Sequence, residues 1–215
     1  MDLPIGSFAD LRDEVVDPTV TSSDVVVTGK IFDLRRDTVD LGDHGSVTRE
    51  YLDHPGAVII AALREVDGVD HIVLIRQYRH PVRTQEWELP AGLLDVHEEP
   101  PLASAARELA EEVELRAGRW DVLVDFYASP GSTSEALRVF LARDIEEVDG
   151  ATFERTGEEA GITALWVPLD DAHAAVLAGR IHNPGAVIGI MAAWGARQQA
   201  WATLRPADAP WPWYA

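Results

Sequence analysis

The sequence contains no cysteine among its 215 residues. This absence excludes disulfide bonds, thiol nucleophiles and thiolate metal sites. Any bound metal must therefore use oxygen or histidine ligands, and the seven histidines show no metal-like spacing. Carboxylates remain the expected ligands, and they favour a hard cation such as Mg²⁺.

Basic residues are scarce. The chain has 18 lysines and arginines against 37 aspartates and glutamates, so its formal net charge is 18 − 37 = −19. Such a surface repels a phosphate backbone unless positive charge or bound cations are concentrated locally. We therefore expect no binding of DNA or RNA through a basic face.

A long apolar run is also missing. GAVIGIMAAW, residues 185–194, is too short to cross a bilayer. The opening MDLPIGSFADLRDEVVDP is acidic where a signal peptide is basic and then apolar. These features predict a cytoplasmic protein without membrane contact, built as one enzyme-sized unit or as a main domain with a small accessory one.

The distribution of apolar residues predicts two parts. In residues 1–54, SDVVVTGKIFDLRRDTVDL indicates two strands joined by a turn, in a small N-terminal β element. Residues 55–215 begin with two buried strands, GAVIIAAL and GVDHIVLIRQYR, joined by a turn. Strands on both sides of a central helix, with further helices near 170–179 and 185–203, predict an α/β fold with a mixed sheet between helices.

The central helix is the best-marked element and is predicted over residues 101–114. Two prolines mark its entry, and a helical spacing of 3.6 residues aligns its apolar residues. The apolar face consists of Leu102, Ala105, Ala106, Leu109 and Val113.

The same helix carries Glu108, Glu111 and Glu112, which helical spacing places on neighbouring points of one side. Taken alone, this cluster is typical of a solvated acidic face with Arg107 as an internal partner of Glu111. The alternative is a site for a divalent cation, which would neutralise the repulsion between the carboxylates.

The flanking residues favour the second interpretation. GLLDVHEEPPLASAARELAEEVEL, residues 92–115, resembles the Nudix box, the signature of the Nudix hydrolases. The resemblance implies a Nudix α/β/α sandwich, Mg²⁺ held by the three glutamates, with Mn²⁺ as a substitute, and Arg107 holding the helix in register. The matching positions are Gly92, Glu99, Arg107, Glu108, Leu109, Glu111, Glu112 and Leu115.

The box departs from the family pattern twice. One extra residue precedes the helix, and Glu99 is preferred over Glu98 as the matching glutamate because it keeps the helix in register. Glu114 stands where the pattern has glycine. A glutamate with positive φ costs on the order of 1 kcal/mol, or else the helix end must shift.

Stretches outside the box resemble the ADP-ribose pyrophosphatase branch of the family: VTREYLDHPGAVIIAAL, IRQYRHPVRTQEWELPAGLLD and SPGSTSE. The resemblance implies that Arg79 contacts the diphosphate, that Arg49 and Glu50 lie near the adenosine, and that the Ala91 carbonyl completes the metal shell. It also makes further substrate-binding candidates of Glu88, Gly131 and Glu135.

Structural roles remain open for several of these residues. Arg79 could form a strand-end salt bridge, and Arg49 and Glu50 a cross-strand pair. For the general base, the resemblance favours Glu159, which is also a candidate metal ligand, over Glu158. Both lie on the loop RTGEEAG, which could equally be a solvated acidic loop. Glu112 is the other candidate base, because a carboxylate beside a metal-bound water can take its proton.

By this resemblance the protein is expected to convert ADP-ribose and water to AMP and ribose 5-phosphate. It is also expected to be a homodimer in which the N-terminal β element helps to complete the partner's adenosine pocket. One alternative is a Nudix pyrophosphatase for another substrate, such as GDP-mannose or NADH. Another is a non-catalytic ADP-ribose sensor, which the intact box glutamates and the acidic charge disfavour.

Overall fold

The computed structural model describes residues 3–148, 161–212 and 214. The strands are β1 (Thr19–Thr28), β2 (Asp33–Asp40), β3 (Ser46–Asp53), β4 (Ala57–Val66), β5 (Val69–Arg79), β6 (Thr84–Glu88), β7 (Ala91–Leu93), β8 (Leu115–Tyr127), β9 (Ala136–Glu147), β10 (Thr163–Pro168) and β11 (Arg205–Pro206). The α-helices are α1 (Pro101–Val113), α2 (Leu169–Leu177) and α3 (Pro184–Gln198).

The first three strands form an antiparallel sheet of their own, in the order β1-β2-β3. The predicted pair of strands corresponds to β1 and β2, and residues 42–45, GDHG, lead into a third strand, β3, which the sequence interpretation omitted. Every residue of β1 is exposed to solvent. This small sheet therefore buries little of its own surface within the described chain.

The remaining strands form one mixed sheet, in the order β10-β5-β4-β9-β8-β11, with β6 beside β5 and β7 beside β4. The predicted pairing of GAVIIAAL with GVDHIVLIRQYR is an antiparallel hairpin, turning at Asp67 and Gly68. In contrast, β4 runs parallel to β9. Strand β4 therefore belongs both to a hairpin with β5 and to a parallel pair with β9, which is far away in the sequence.

Helices cover both faces of this sheet. Alternate residues of β4 point to opposite sides: Ile59 and Ala61 pack toward α2 and α3, while Val58 and Ile60 pack toward α1. Both sets are almost fully buried, which explains why the strand is apolar at every position from Ala57 to Leu63. The predicted α/β/α sandwich is confirmed.

The β4-β5 hairpin opens as it leaves its turn. Residues 63–66 of β4 pair with β5, whereas residues 57–59 pair with β7 instead. The segment β6–β7 fills the gap, and the Pro90 carbonyl accepts a hydrogen bond from the Ile60 amide at 2.8 Å. The main sheet is therefore forked, and the fork opens toward Gly92 and the glutamates of α1.

Three details of the structure differ from the prediction. Ala106, assigned to the apolar face of the central helix, is exposed. The last helix ends at Gln198, because Ala200 and Trp201 adopt positive φ angles of 49° and 65° that cannot continue it. The tail also contributes the short strand β11 to the sheet. In the described ranges no helix is both long and apolar enough to cross a membrane.

Candidate active site

An open cavity of about 860 Å³ lies at the fork of the main sheet. Residues from β5, β6, β7 and α1 line one part of it, and residues from the small sheet and from the segment between β8 and β9 line another. The predicted site residues among its lining are Arg79, Glu88, Ala91, Arg107, Glu108, Glu111, Glu112 and Glu135.

Helix α1 brings two of the box glutamates against β7. Ala105 and Leu109 are fully buried and fix the side of the helix that faces the sheet. Glu112 lies on this side and is only 8% exposed, and its Oε2 accepts a hydrogen bond of 3.0 Å from the Ala91 amide. A Cβ on Gly92 would approach the Glu108 side chain to 2.2 Å. Glycine is therefore required at position 92 for Glu108 to reach the strand.

Arg107 holds the carboxylates of the box together. Its Nη1 donates to Glu108 Oε1 at 2.6 Å and to Glu111 Oε2 at 3.2 Å. Its Nε and Nη2 donate to the two carboxylate oxygens of Glu99 at 3.2 and 3.0 Å. The hydrogen bond to Glu99, more than any other contact, raises the pKa of the Arg107 guanidinium, and it lowers the pKa of the Glu99 carboxyl. Arg107 thus joins the loop before the helix to the helix itself.

The donor set of the box fits a hard divalent cation, since it consists of carboxylates and backbone oxygen without sulfur. Within the described ranges, however, no three His, Asp or Glu side chains are grouped closely enough to hold a metal ion. Glu108 and Glu111 are instead turned to the guanidinium of Arg107. To bind a metal cation, the carboxylates of Glu108 and Glu111 would have to give up their ion pairs with Arg107.

The structure accommodates both departures from the box pattern. The extra residue Glu98 adopts φ +62° in the loop, which leaves Glu99 in place to contact Arg107. Glu114 adopts φ +58° and ψ +37°, and its amide donates to the carbonyls of Leu109 and Ala110. The helix end has therefore kept the left-handed conformation that glycine favours, with glutamate occupying it.

Arg79 and Glu88 face each other in the cavity. Arg79 Nε and Nη2 donate to the two oxygens of Glu88 at 2.7 and 2.6 Å, a bidentate pair. Glu88 is 3% exposed, whereas the Arg79 side chain is 42% exposed. The salt bridge considered for Arg79 is thus present, and it orients the guanidinium along the cavity wall.

Other predicted residues lie apart from this group. Arg49 and Glu50 on β3 are exposed and do not line the cavity, and Glu50 pairs with Arg36 across the strand at 2.6 Å. Gly131 is exposed and also lies outside the lining. Glu158 and Glu159 fall outside the described residues. Glu135, the other predicted residue of the segment between β8 and β9, lines the cavity together with the box residues.

The cavity also contains residues that the sequence interpretation missed. Gln77 is 7% exposed and lies on β5 two residues before Arg79. His54 lies 3.9 Å from Glu135, measured between Nε2 and Oε1. Asn183 begins α3 by accepting a hydrogen bond from the Ala186 amide, and Asn-Pro at a helix start is a pattern that sequence reasoning could have recognised. Nothing local distinguishes Gln77 or His54.

Comparison with known proteins matches the chain to one family. A family model described as the NUDIX domain matches residues 53–185. The chain is similar to a protein named ADP-ribose pyrophosphatase from Mycobacterium tuberculosis, with 46% identity over 88% of this chain and 89% of that protein. It is also similar to a protein of the same name from Bacillus subtilis, with 33% identity over 68% of this chain and 76% of that protein.

A solved structure described as an ADP compounds hydrolase has a similar fold. Its TM-score is 0.68, and the alignment covers 87% of this chain and 98% of that one at 20% identity. At this identity the likeness concerns the fold alone. It agrees with the sandwich of helices around a mixed sheet.

Proposed function

Since the chain belongs to the Nudix family of hydrolases, we propose that it hydrolyses the diphosphate of ADP-ribose to AMP and ribose 5-phosphate with the help of Mg²⁺. The observation that carries the proposal is the convergence of the box carboxylates and the Arg79–Glu88 pair on one cavity. The names of the two relatives support the choice of ADP-ribose among nucleoside diphosphates.

Glu108, Glu111 and Glu112, with the carbonyl of Ala91, are the residues that would hold the cation. When bound, Mg²⁺ supplies the positive charge that phosphate oxygens need and that a protein of net charge −19 otherwise lacks. Glu112 is fixed for this role by its hydrogen bond from the Ala91 amide. Mn²⁺ prefers similar oxygen ligands and would substitute.

The side chain of Arg79 would bind the non-bridging oxygens of the diphosphate. An arginine donates several hydrogen bonds from one plane, and Glu88 holds that plane in place. As water attacks one phosphorus, the bond to the bridging oxygen breaks and negative charge grows on the leaving phosphate. A guanidinium already oriented at this position stabilises that charge without reorganisation.

A carboxylate must take the proton of the attacking water. We assign this role to Glu159, with Glu158 and Glu112 as the alternatives. The assignment of Glu159 rests on the sequence resemblance, and the burial of Glu112 against Ala91 supports a fixed ligand more than a group that moves a proton.

We further propose that two copies of the chain form the working enzyme. The strand β1 is exposed along its length, and its apolar residues Val25, Val26 and Val27 are 40–57% exposed. Arg49 and Glu50 lie outside the cavity of their own chain, so a role at the adenosine requires the cavity of a partner. Sedimentation equilibrium would show a dimer, and a monomer that is fully active would contradict this proposal.

The function is tested by hydrolysis rates on a panel of ADP-ribose, GDP-mannose, NADH and diadenosine polyphosphates, with Mg²⁺ and with EDTA. We expect the highest kcat/KM for ADP-ribose and loss of turnover in EDTA. A preference for GDP-mannose would replace the proposed substrate. Mg²⁺-independent binding of ADP-ribose without turnover would indicate a sensor instead of an enzyme.

A further inference from the structure

Gln77 is a polar side chain buried in the wall of the cavity. It is 7% exposed, and it lines the cavity together with Arg79, Glu88 and the box glutamates. No hydrogen bond joins its carboxamide to another described residue, and its polar atoms are not among the fully enclosed ones that lack a partner, so the amide is open to the cavity. An amide in this position is available to a ligand that enters the cavity.

The strand places this amide beside the guanidinium of Arg79. Gln77 and Arg79 are two residues apart on β5 and share one face, and Glu88 is opposite Ile75 on that face. Arg79 and Ile75 are four residues apart, about 13 Å along a strand. The hydrogen bonds between Arg79 and Glu88 therefore require both side chains to extend along the face past Gln77.

A diphosphate bound by Arg79 would thus meet Gln77 as well. Glu88 balances much of the Arg79 charge, so further neutral donors are useful to an anion with several oxygens. The carboxamide NH₂ donates without adding charge, and it needs no ion pair to remain buried. Phosphate oxygens accept such hydrogen bonds, whereas the neighbouring carboxylates would repel them.

We propose that Gln77 is a substrate-binding residue whose side-chain NH₂ donates to the diphosphate beside Arg79. The inference rests on the proposed function, because it takes a nucleoside diphosphate as the ligand of this cavity. It goes beyond that function by assigning a specific donor to the anion. A bound diphosphate would also accept a hydrogen bond from an amide that makes none within the described chain.

Two substitutions and a matched control test the proposal. Gln77→Met keeps an unbranched side chain of similar size and removes the donor. Gln77→Glu keeps the shape and turns the donor into an anion. Gln85→Glu makes the same change at an exposed position of β6 that does not line the cavity. KM and kcat for ADP-ribose with Mg²⁺ are measured for each, together with thermal unfolding.

We expect Gln77→Met to raise KM about tenfold with a smaller change in kcat, the effect of one hydrogen bond to a charged group. Gln77→Glu should raise KM further, and Gln85→Glu should match the wild type. Values of KM within twofold of the wild type for Gln77→Met would overturn the donor role. A lowered unfolding temperature with unchanged KM would show that Gln77 is only structural.

Different results would refute the proposed function and the inference about Gln77. If the wild type does not hydrolyse ADP-ribose but turns over another diphosphate of the panel, the substrate assignment is wrong. The same variants are then compared on that compound, and a raised KM for Gln77→Met still supports the donor role. If ADP-ribose is hydrolysed and KM does not change, only the inference about Gln77 is wrong.

Discussion

A Cβ atom on Gly92 would lie 2.2 Å from the carboxyl carbon of Glu108. The glycine on β7 and the glutamate on α1 therefore occupy adjoining space, and the glutamate reaches the strand because the glycine has no side chain. We predict that Gly92→Ala displaces Glu108 and lowers kcat at least tenfold. Gly195→Ala is the control, because a Cβ there meets nothing within 4 Å. Normal activity of Gly92→Ala would show that the position of Glu108 is unimportant.

Glu112→Gln should lower turnover by orders of magnitude, because a neutral amide is a poor ligand for a hard cation. The residue is buried, and its Oε2 accepts a hydrogen bond from the Ala91 amide. Glutamine retains an oxygen acceptor for that amide, so urea denaturation should show a loss of stability of about 1 kcal/mol or less. Glu98→Gln, at an exposed loop residue, serves as the control. Near-normal turnover of Glu112→Gln would refute its assignment to the metal.

Glu114→Gly should stabilise the protein by about 0.5–1 kcal/mol, because glycine adopts the observed φ of +58° without strain. Activity should not change. Ala103→Gly, at an exposed position within α1, should instead destabilise by about 1 kcal/mol. The midpoints of urea denaturation of the two variants are compared with that of the wild type. A destabilised Glu114→Gly would mean that contacts of the glutamate outweigh its backbone strain.

The hydrogen bond from Arg107 lowers the pKa of the Glu99 carboxyl below its ordinary value of 4.5. A carboxyl with a lowered folded-state pKa contributes stability at pH values above 4.5, and the contribution is lost as pH falls through the folded-state pKa. We therefore expect the stability difference between wild type and Glu99→Gln to be constant near neutral pH and to shrink in acid. Urea denaturation at a series of pH values measures it. A difference that grows in acid would contradict the role of the ion pair.

Glu159→Gln should lower kcat by about 100-fold or more with little effect on KM if this residue takes the proton of water. Glu158→Gln is the matched control on the neighbouring residue, and it should remain close to the wild type. A pure effect of Glu159→Gln on KM would favour substrate gating instead. If Glu158→Gln lowers kcat and Glu159→Gln does not, Glu158 is the residue that takes the proton.

Local patterns were sufficient for part of the cavity wall. The period of apolar residues predicted α1 and the β4-β5 hairpin, and the spacing of the box identified the glutamates, Arg107 and Gly92. The choice of Glu99 over Glu98 also agrees with the contacts of Arg107. These features depend on residues close in sequence, and such spacing is visible in a single chain.

Features that depend on distant parts of the chain were not predicted. The burial of Glu112 results from the approach of β7 to α1, and helical spacing alone does not reveal it. The short strand β11 pairs with β8, which lies about 80 residues earlier in the chain. Gln77 is unremarkable in the sequence, since an isolated polar residue in a strand has no distinguishing pattern. The burial of Glu112, the pairing of β11 and the place of Gln77 in the cavity all depend on tertiary packing.

The forked shape of the main sheet affects the order in which its two ends form during folding. The closed end, where β4 pairs with β5, joins residues that are near neighbours across a tight turn and has little loop entropy to overcome. The open end depends on the pairing of residues 57–62 with residues 137–142. Contacts of such long range form late in folding and slow it. The hairpin should consequently form before β9 pairs with β4, and the walls of the cavity should come together only once that long-range pairing is made.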